Sequence, residues 1–253
     1  MDVSSGCPTA FDVLTAPVTL LVGHFGAGKS EIAINLAFGW RARGEAVTVV
    51  DLDVVKPYFR ARLLREDMQA RGINLVVPQD DRFYADLPIV VPEVRGAVGR
   101  AVAGHGRAVV DVGGADVGSR VLGSIPGFDN PALTDVLFVV NGNRPFAETP
   151  EAVIAMLREI ERVSKLRVTG LVANTHLMLE TTAGIVDDGL ELAHVVARET
   201  GVPVRFWAML ARLAETGAGP VNHHGLPWLP LTRQITTPLE VRPHGMRRRS
   251  SVV

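Results

Sequence analysis

A glycine-rich octapeptide, residues 23–30 with the sequence GHFGAGKS, constrains the fold of this chain more than any other feature. The apolar run 18–22 precedes it, and apolar residues at helical spacing, Ile32, Leu36 and Trp40, follow it. A strand, a tight glycine turn and a helix N-terminus are the context that the phosphate-binding P-loop pattern GxxxxGK[ST] requires. The sequence therefore predicts that residues 23–30 form such a loop, the alternative being an ordinary glycine-rich turn between a strand and a helix.

The P-loop interpretation assigns a role to each part of the octapeptide. Backbone N–H groups of the glycines converge on phosphates, and the helix dipole adds partial positive charge there. Lys29 is expected to reach the β- and γ-phosphates, and the Ser30 hydroxyl is expected to bind Mg²⁺. The predicted phosphate-binding residues are Gly23, Gly26, Ala27, Gly28, Lys29 and Ser30.

Short valine-rich runs alternate with helical patterns along the chain, which is typical of an α/β fold with a parallel sheet. We expect a mostly parallel sheet with helices on both faces, in a P-loop NTPase fold. The predicted strands lie near 18–23, 46–51, 73–77, 107–112, 135–140, 168–173 and 203–208. The predicted helices lie near 29–43, 56–71, 92–103, 149–164 and 182–200.

Composition restricts the organisation and the class of partner. No linker, repeat or low-complexity segment divides the 253 residues, which predicts one domain over 14–237 with flexible tails at 1–13 and 238–253. The 26 basic and 27 acidic residues nearly balance, so bulk charge gives no drive toward nucleic acid or an anionic membrane. Because Cys7 is the only cysteine, an internal disulfide or a CxxC metal site is excluded.

The same features indicate where the protein works. No apolar run reaches the ~18 uncharged residues of a membrane span. The first 16 residues contain no basic residue and no apolar centre, so they do not resemble a signal peptide. A cytoplasmic location is therefore expected, which also suits a chain with one cysteine.

Two acidic segments follow predicted strands on the same edge of the sheet. Asp51 and Asp53 come at the end of the second strand, and Asp111 with Gly113 and Gly114 comes at the end of the fourth. In parallel sheets the ligand crevice lies outside the carboxyl ends of the strands. Carboxylates there can hold Mg²⁺ and orient an attacking water, and a glycine lets its N–H approach the γ-phosphate. The alternatives are a helix cap or turn, or, for Asp51, buried support of its neighbours.

The stretch from Val18 to Arg60 resembles the MinD/ParA/CobQ–CobB ATPases, a branch of the SIMIBI class of P-loop proteins. That group has an Asp-x-Asp segment directly after the second strand, a DxxG-type segment, and an Asn at the end of a later strand. The matching segments here are 51–53, 111–114 and the residues Val172-Ala173-Asn174, and the likeness covers roughly 17–210. It implies that Asp53 positions the attacking water, that Asp53, Asp111 and Ser30 hold Mg²⁺, that Gly114 approaches the γ-phosphate, and that Asn174 contacts adenine.

The chain departs from this group at informative positions. Many members carry a lysine after the first loop glycine that reaches across a dimer, and here that residue is His24. The iron–sulfur members use bridging cysteines that are missing here, so no iron–sulfur cluster is expected. The guanine-reading pattern NKxD is replaced by residues 174–177, NTHL, which lack its carboxylate and favour ATP over GTP.

The resemblance implies a slowly ATP-hydrolysing switch that drives assembly, positioning or maturation of an unidentified protein partner, in a nucleotide-dependent homodimer. Its segments 51–60 and 111–118 would close around ATP. Two alternatives stay open: an ATP-dependent ligase that activates a small carboxylate, and a nucleotide-sensing scaffold with little turnover.

Other signals are ambiguous. Residues 56–60 sense the γ-phosphate, bind a partner or begin a helix, and residues 141–145 contact the nucleotide or a partner, or form a turn. His223 and His224 are adjacent and therefore form a poor metal site. The arginine-rich segment 247–249 has no apolar helical face beside it, so neither a membrane nor a nucleic-acid contact is indicated.

Overall fold

The computed structural model describes residues 8–52, 60–77, 91–113, 122–123, 125–213 and 225–235, with the backbone only at 60–64, 91 and 179. Within these residues the helices are α1 (Ala10–Val13), α2 (Lys29–Ala42), α3 (Arg60–Ala70), α4 (Val91–Val102), α5 (Pro150–Ser164), α6 (Ala183–Thr200) and α7 (Ala211–Leu213). The strands are β1 (Val18–Gly23), β2 (Val47–Leu52), β3 (Asn74–Val76), β4 (Arg107–Val112), β5 (Thr134–Val140), β6 (Gly170–Ala173), β7 (Val204–Leu210) and β8 (Trp228–Leu231).

The eight described strands form one parallel sheet in the order β3-β2-β4-β1-β5-β6-β7-β8. Strand β1 lies between β4 and β5. The strands β2 to β4 lie on one side of β1, and the strands β5 to β8 lie on the other. In open α/β sheets the carboxyl ends of strands at such a switch point border the ligand crevice. The P-loop segment follows β1 and therefore lies in this crevice.

Both faces of the sheet are covered, as the apolar runs predict. Alternate residues of β1 point to opposite faces. Val18, Leu20 and Val22 pack in the core that includes α4 and α5, whereas Leu21 packs in the core that includes α2. The α/β fold with helices on both faces of a parallel sheet is therefore confirmed.

The first described residues pack on the body of the fold. Ala10 of α1 is fully buried, and the ring of Phe11 meets that of Trp40 edge to face at 5.8 Å. The backbone N–H of Trp228 in β8 donates to the Pro8 carbonyl oxygen over 3.0 Å. Residues 8–13 thus differ from the flexible tail predicted for 1–13, because the buried side chains of α1 fill space beside α2. Residues 1–7 and 238–253 lie outside the described part.

Candidate nucleotide-binding site

The P-loop segment joins β1 to α2, and two of its glycines have backbone conformations that other residues rarely adopt. Gly23 has φ +137°, and a Cβ there would lie 2.7 Å from the carbonyl oxygen of Val139 in β5. Gly28 caps α2 with φ +95°, and a Cβ there would lie 2.3 Å from Nδ2 of Asn174. Glycine at these positions lets the loop approach the backbone of β5 and the Asn174 side chain closely.

Lys29 occupies the inside of this loop. Its side chain is buried, with the residue 7% exposed, and Nζ donates to the carbonyl oxygens of Gly23 at 3.0 Å and His24 at 2.9 Å. The ammonium group is thus fixed at the first turn of α2, where the backbone N–H groups of the helix start also point. This is the geometry in which a cation can meet the phosphates of a nucleotide.

The two described carboxylates lie side by side at the carboxyl end of the sheet. Asp51 in β2 is the registered neighbour of Asp111 in β4, and Asp111 in turn neighbours Leu21 of β1. Alternation places both aspartates on the face that carries α2, and Asp111 is only 4% exposed. Asp53 and Gly114, the other predicted residues of these segments, lie outside the described residues.

Asn174 is buried against the P-loop at the end of β6. Its Nδ2 donates to the carbonyl oxygen of Ala27 over 2.8 Å, and its own backbone N–H donates to Val140. Its Oδ1 is buried and has no hydrogen-bond partner among the described residues. Asn174 therefore fixes the loop with one end of its amide and keeps an acceptor at the other end.

Two further side chains at the P-loop were not singled out by the sequence prediction. Arg144, in the turn after β5, donates from Nε to the Gly26 carbonyl oxygen over 2.9 Å. His176 follows Asn174, and its Nδ1 accepts from the backbone N–H of Met178 over 3.3 Å. The sequence left residues 141–145 open as a turn or a contact to the nucleotide or a partner, and the signal for a contact was their place after the fifth strand at the ligand edge of the sheet.

These residues border a cavity of about 280 Å³. One side is the P-loop with Arg144, Asn174 and His176. The other side is largely apolar and comes from the turn after β6 and from the ends of β7 and β8. Its residues are Met178, Met209, Leu210, Leu213, Leu231 and Ile235. The cavity thus has a polar phosphate-facing end and an apolar end, the combination that ligand pockets usually show.

Helix α2 holds the apolar wall in place through two polar side chains. The carboxylate of Glu31 accepts from the backbone N–H groups of Gln234 and Ile235. Asn35 donates to the Thr232 carbonyl oxygen over 3.0 Å and accepts from its N–H over 2.8 Å. We call these contacts the α2–β8 clamp. Burial raises the pKa of Glu31, and the two backbone donors oppose that rise.

Strand β8, which supplies part of this wall, was missed by the sequence prediction. Its sequence, Trp228 to Leu231, contains Pro230. Proline is tolerated in a strand at the edge of a sheet, and β8 is an edge strand in the observed order. The apolar run around Trp228 was the available signal.

No protein-family model matches the chain, and no curated relative matches it either. Among solved structures it is similar to cell division protein FtsY from Thermotoga maritima, with a TM-score of 0.52 and 18% identity over 78% of this chain and 63% of that one. It is also similar to the 54 kDa signal recognition particle protein from Aeropyrum pernix, solved in complex with GDP, with a TM-score of 0.51 and 20% identity over 76% of this chain and 41% of that one.

The chain has the P-loop NTPase fold. The likeness to FtsY and the 54 kDa protein shows this fold alone and does not single out the MinD/ParA/CobQ–CobB group. The chain spans less than two thirds of either protein's length.

The donors near the P-loop fit a magnesium nucleotide. Mg²⁺ takes oxygen ligands and is usually bound by one or two carboxylates together with substrate phosphates. Ser30 at the start of α2 and Asp111 beside β1 supply a hydroxyl and a carboxylate of this kind. The described residues contain no cluster of three or more His, Cys, Asp or Glu that would hold a metal on its own.

The described part of the chain has no helix that is both long enough and apolar enough to cross a bilayer.

His176 gives the site a measurable pH signature. Burial first, and the Arg144 cation second, lower its pKa from 6.5 to about 4. Between these two pH values the unfolded chain takes up a proton that the folded protein does not, so the free energy of unfolding falls as the pH falls. We expect this loss to reach about 3 kcal/mol between pH 7 and pH 4.

Urea unfolding of the parent and of His176→Gln at several pH values in this range tests the expectation. The variant should lose less stability than the parent as the pH falls, whereas His105→Gln, on an exposed turn, should follow the parent. Identical pH profiles for His176→Gln and the parent would contradict it. Glu31 and the other carboxylates titrate in the parent and in the variant alike, so their contribution cancels from the difference between the two pH profiles.

Proposed function

We propose that this protein is a nucleotide-dependent switch that binds Mg-ATP at the P-loop and hydrolyses it slowly. The observation that carries the proposal is the convergence of three side chains on one loop. Each side chain donates to a carbonyl oxygen of the P-loop from a different place: Lys29 from inside the loop, Arg144 from the turn after β5, and Asn174 from the end of β6. A loop fixed in this way is preorganised, so little ordering cost remains when phosphates bind.

The cavity supports ATP over GTP. Glu31 is the one carboxylate among its described lining residues, and its oxygens accept from the backbone N–H groups of residues 234 and 235. Guanine would need an acceptor for its N1–H and exocyclic amine, and a site that leaves such donors unpaired rejects the ligand. The apolar wall fits either purine, so the polar groups decide the preference.

The proposed hydrolysis follows from the positions of the acidic residues. Bound Mg²⁺ would neutralise the charge of the β- and γ-phosphates. Lys29 supplies the second positive charge from the loop, Ser30 and Asp111 supply oxygen ligands, and Asp53 orients the attacking water, as the resemblance implies. In the sequence Asp53 comes one residue after β2 ends at Leu52 and two residues after Asp51, whose register neighbour is Asp111, which supports this assignment.

Exposed aromatic residues beside the site support a switch whose nucleotide state is recognised through a protein contact. Phe25 of the P-loop is 49% exposed, and Phe146, two residues after Arg144, is 76% exposed. Phe146 also has a φ of +65°, which is unusual for a bulky residue. Apolar surface of this kind often marks a protein contact. We propose that a second copy of the chain or a protein partner covers it in the ATP state.

The purified protein tests the proposal directly. We expect ATP turnover well below the ~10 s⁻¹ median of enzymes, because a switch must persist in its ATP form. Light scattering should show a larger dimer fraction with Mg-ATP than with Mg-ADP. Fast hydrolysis by a strict monomer would reject the switch, and phosphate release that depends on an added small carboxylate would indicate the ligase instead.

A further inference from the structure

Arg144 lies along the P-loop at the entrance to the cavity. A Cβ at Gly26 would lie 3.3 Å from Nε and 3.5 Å from Cζ of Arg144, so the guanidinium group packs directly on the loop. Nε uses one of the five guanidinium N–H donors on the Gly26 carbonyl oxygen, and the side chain also lines the cavity. This contact fixes the planar cation beside the space that separates the P-loop from the apolar wall.

His176 lines the same space with a defined hydrogen-bond donor. Since Nδ1 accepts from the Met178 N–H, the proton of the neutral ring is on Nε2. Nε2 lies 3.6 Å from the position of a Cβ on Gly28, next to the P-loop. Burial and the neighbouring Arg144 cation lower the pKa of His176 to about 4, so the ring stays neutral near pH 7.

Asn174 completes the set with its buried Oδ1, which has no partner among the described residues. The residues that line the cavity at the P-loop thus include an N–H donor on His176, a buried carbonyl acceptor on Asn174 and the planar cation of Arg144. Adenine presents an acceptor, N7, next to a donor, its N6 amino group, whereas guanine presents two acceptors, N7 and O6, at the same edge. A donor beside an acceptor therefore matches adenine, whereas guanine would place its O6 acceptor opposite the acceptor of the protein.

We propose that Arg144 and His176 form an adenine-recognition site with Asn174, in which Arg144 stacks on the base and His176 donates to N7 while Asn174 accepts from N6. This inference rests on the proposed nucleotide binding and identifies the base that the cavity selects. Arginine stacks well because its guanidinium group is planar and weakly hydrated. The apolar wall, including Met178, covers the opposite face of the base.

Binding titrations with Mg²⁺ and three probes, ADP, GDP and tripolyphosphate, test the proposal. Tripolyphosphate has no base and reports on the P-loop alone. We expect Arg144→Ala to weaken ADP binding by about tenfold more than it weakens tripolyphosphate binding, because the lost base-stacking contact adds to any loosening of the P-loop that both probes sense. Arg144→Lys keeps the positive charge and loses the planar guanidinium group, so its ADP affinity should resemble that of Arg144→Ala.

His176 is tested by the affinity for both nucleotides relative to tripolyphosphate, because N7 is an acceptor in adenine and guanine alike. His176→Ala should weaken ADP and GDP binding by about tenfold each and leave tripolyphosphate binding unchanged, and His176→Gln, which keeps an N–H donor, should restore part of the loss. Arg162→Ala, on the exposed face of α5 where it pairs with Glu159, is the matched control and should leave all three affinities unchanged.

Each remaining outcome contradicts a defined part of the proposal. If Arg144→Ala weakens ADP and tripolyphosphate equally, Arg144 acts only by holding the P-loop. If the parent binds GDP as tightly as ADP, the recognition of N6 by Asn174 is wrong. If the parent binds tripolyphosphate and neither nucleotide, the adenine site is wrong while the phosphate site stands. If it binds none of the probes, the nucleotide function itself is rejected.

Discussion

Replacing Lys29 with alanine is expected to weaken Mg-ATP binding by at least about 100-fold, or about 2.7 kcal/mol. The ammonium group lies inside the loop, where the phosphates of ATP would replace or join its present carbonyl partners. Hydrogen bonds to charged groups contribute about 1.5–3 kcal/mol each, so two phosphate contacts justify this estimate. Equal affinity in the variant and the parent would reject the P-loop assignment.

The burial of Lys29 requires a control for stability. Alanine also removes the donor for the carbonyl oxygens of Gly23 and His24, so part of the lost affinity can come from a loosened loop. Lys29→Met keeps most of the side-chain volume without the charge and separates the two causes. Lys165→Asn removes a lysine from the αL cap of α5, a position that asparagine tolerates, and should bind ATP like the parent. Thermal unfolding of each variant completes the comparison.

Replacing Asp53 with alanine is expected to reduce kcat by about 100-fold or more, the usual contribution of a positioned general base. ATP affinity should change by less than about threefold, because a residue that acts mainly in the transition state contributes little to ground-state binding. Single-turnover phosphate release together with an ATP titration measures the two quantities separately.

A matched control for Asp53 is Asp67→Ala, which removes an exposed aspartate that pairs with Arg71 near the end of α3. It should leave turnover unchanged. If Asp53→Ala stays within about twofold of the parent, a difference of roughly 0.4 kcal/mol, Asp53 does not position the attacking water. Asp111 would then be the residue to test next, since it lies buried at the neighbouring strand end.

The central part of the fold was predictable because its signals are local. The strand before Gly23 and the helix that begins at Lys29 were placed within one residue, and the strand 107–112 was placed with its observed bounds. Each of these elements is a continuous apolar run or a 3.6-residue pattern that is bounded by glycine or charged residues, so no distant contact is needed to recognise it.

The remaining parts depend on contacts between residues far apart in the sequence. Arg144 meets Gly26 across 118 positions, and Glu31 meets Gln234 across 203. Neither side chain has a local pattern that distinguishes it from an ordinary turn or surface residue. Helix α1 has only four residues, and its position is set by Phe11 packing on Trp40 and not by helical propensity.

The α2–β8 clamp has a consequence for the order in which the protein is made. The chain emerges from the ribosome N-terminus first, and its early segments can begin to fold before the rest is made. The phosphate loop belongs to the first 30 residues, whereas Glu31 and Asn35 hold residues 232, 234 and 235, which include or flank the wall residues Leu231 and Ile235. A nascent chain that ends just before β8 therefore contains the loop and the side chains of Arg144, Asn174 and His176, but it lacks this last part of the apolar wall. The cavity is complete on all sides only once the last described residues have been translated.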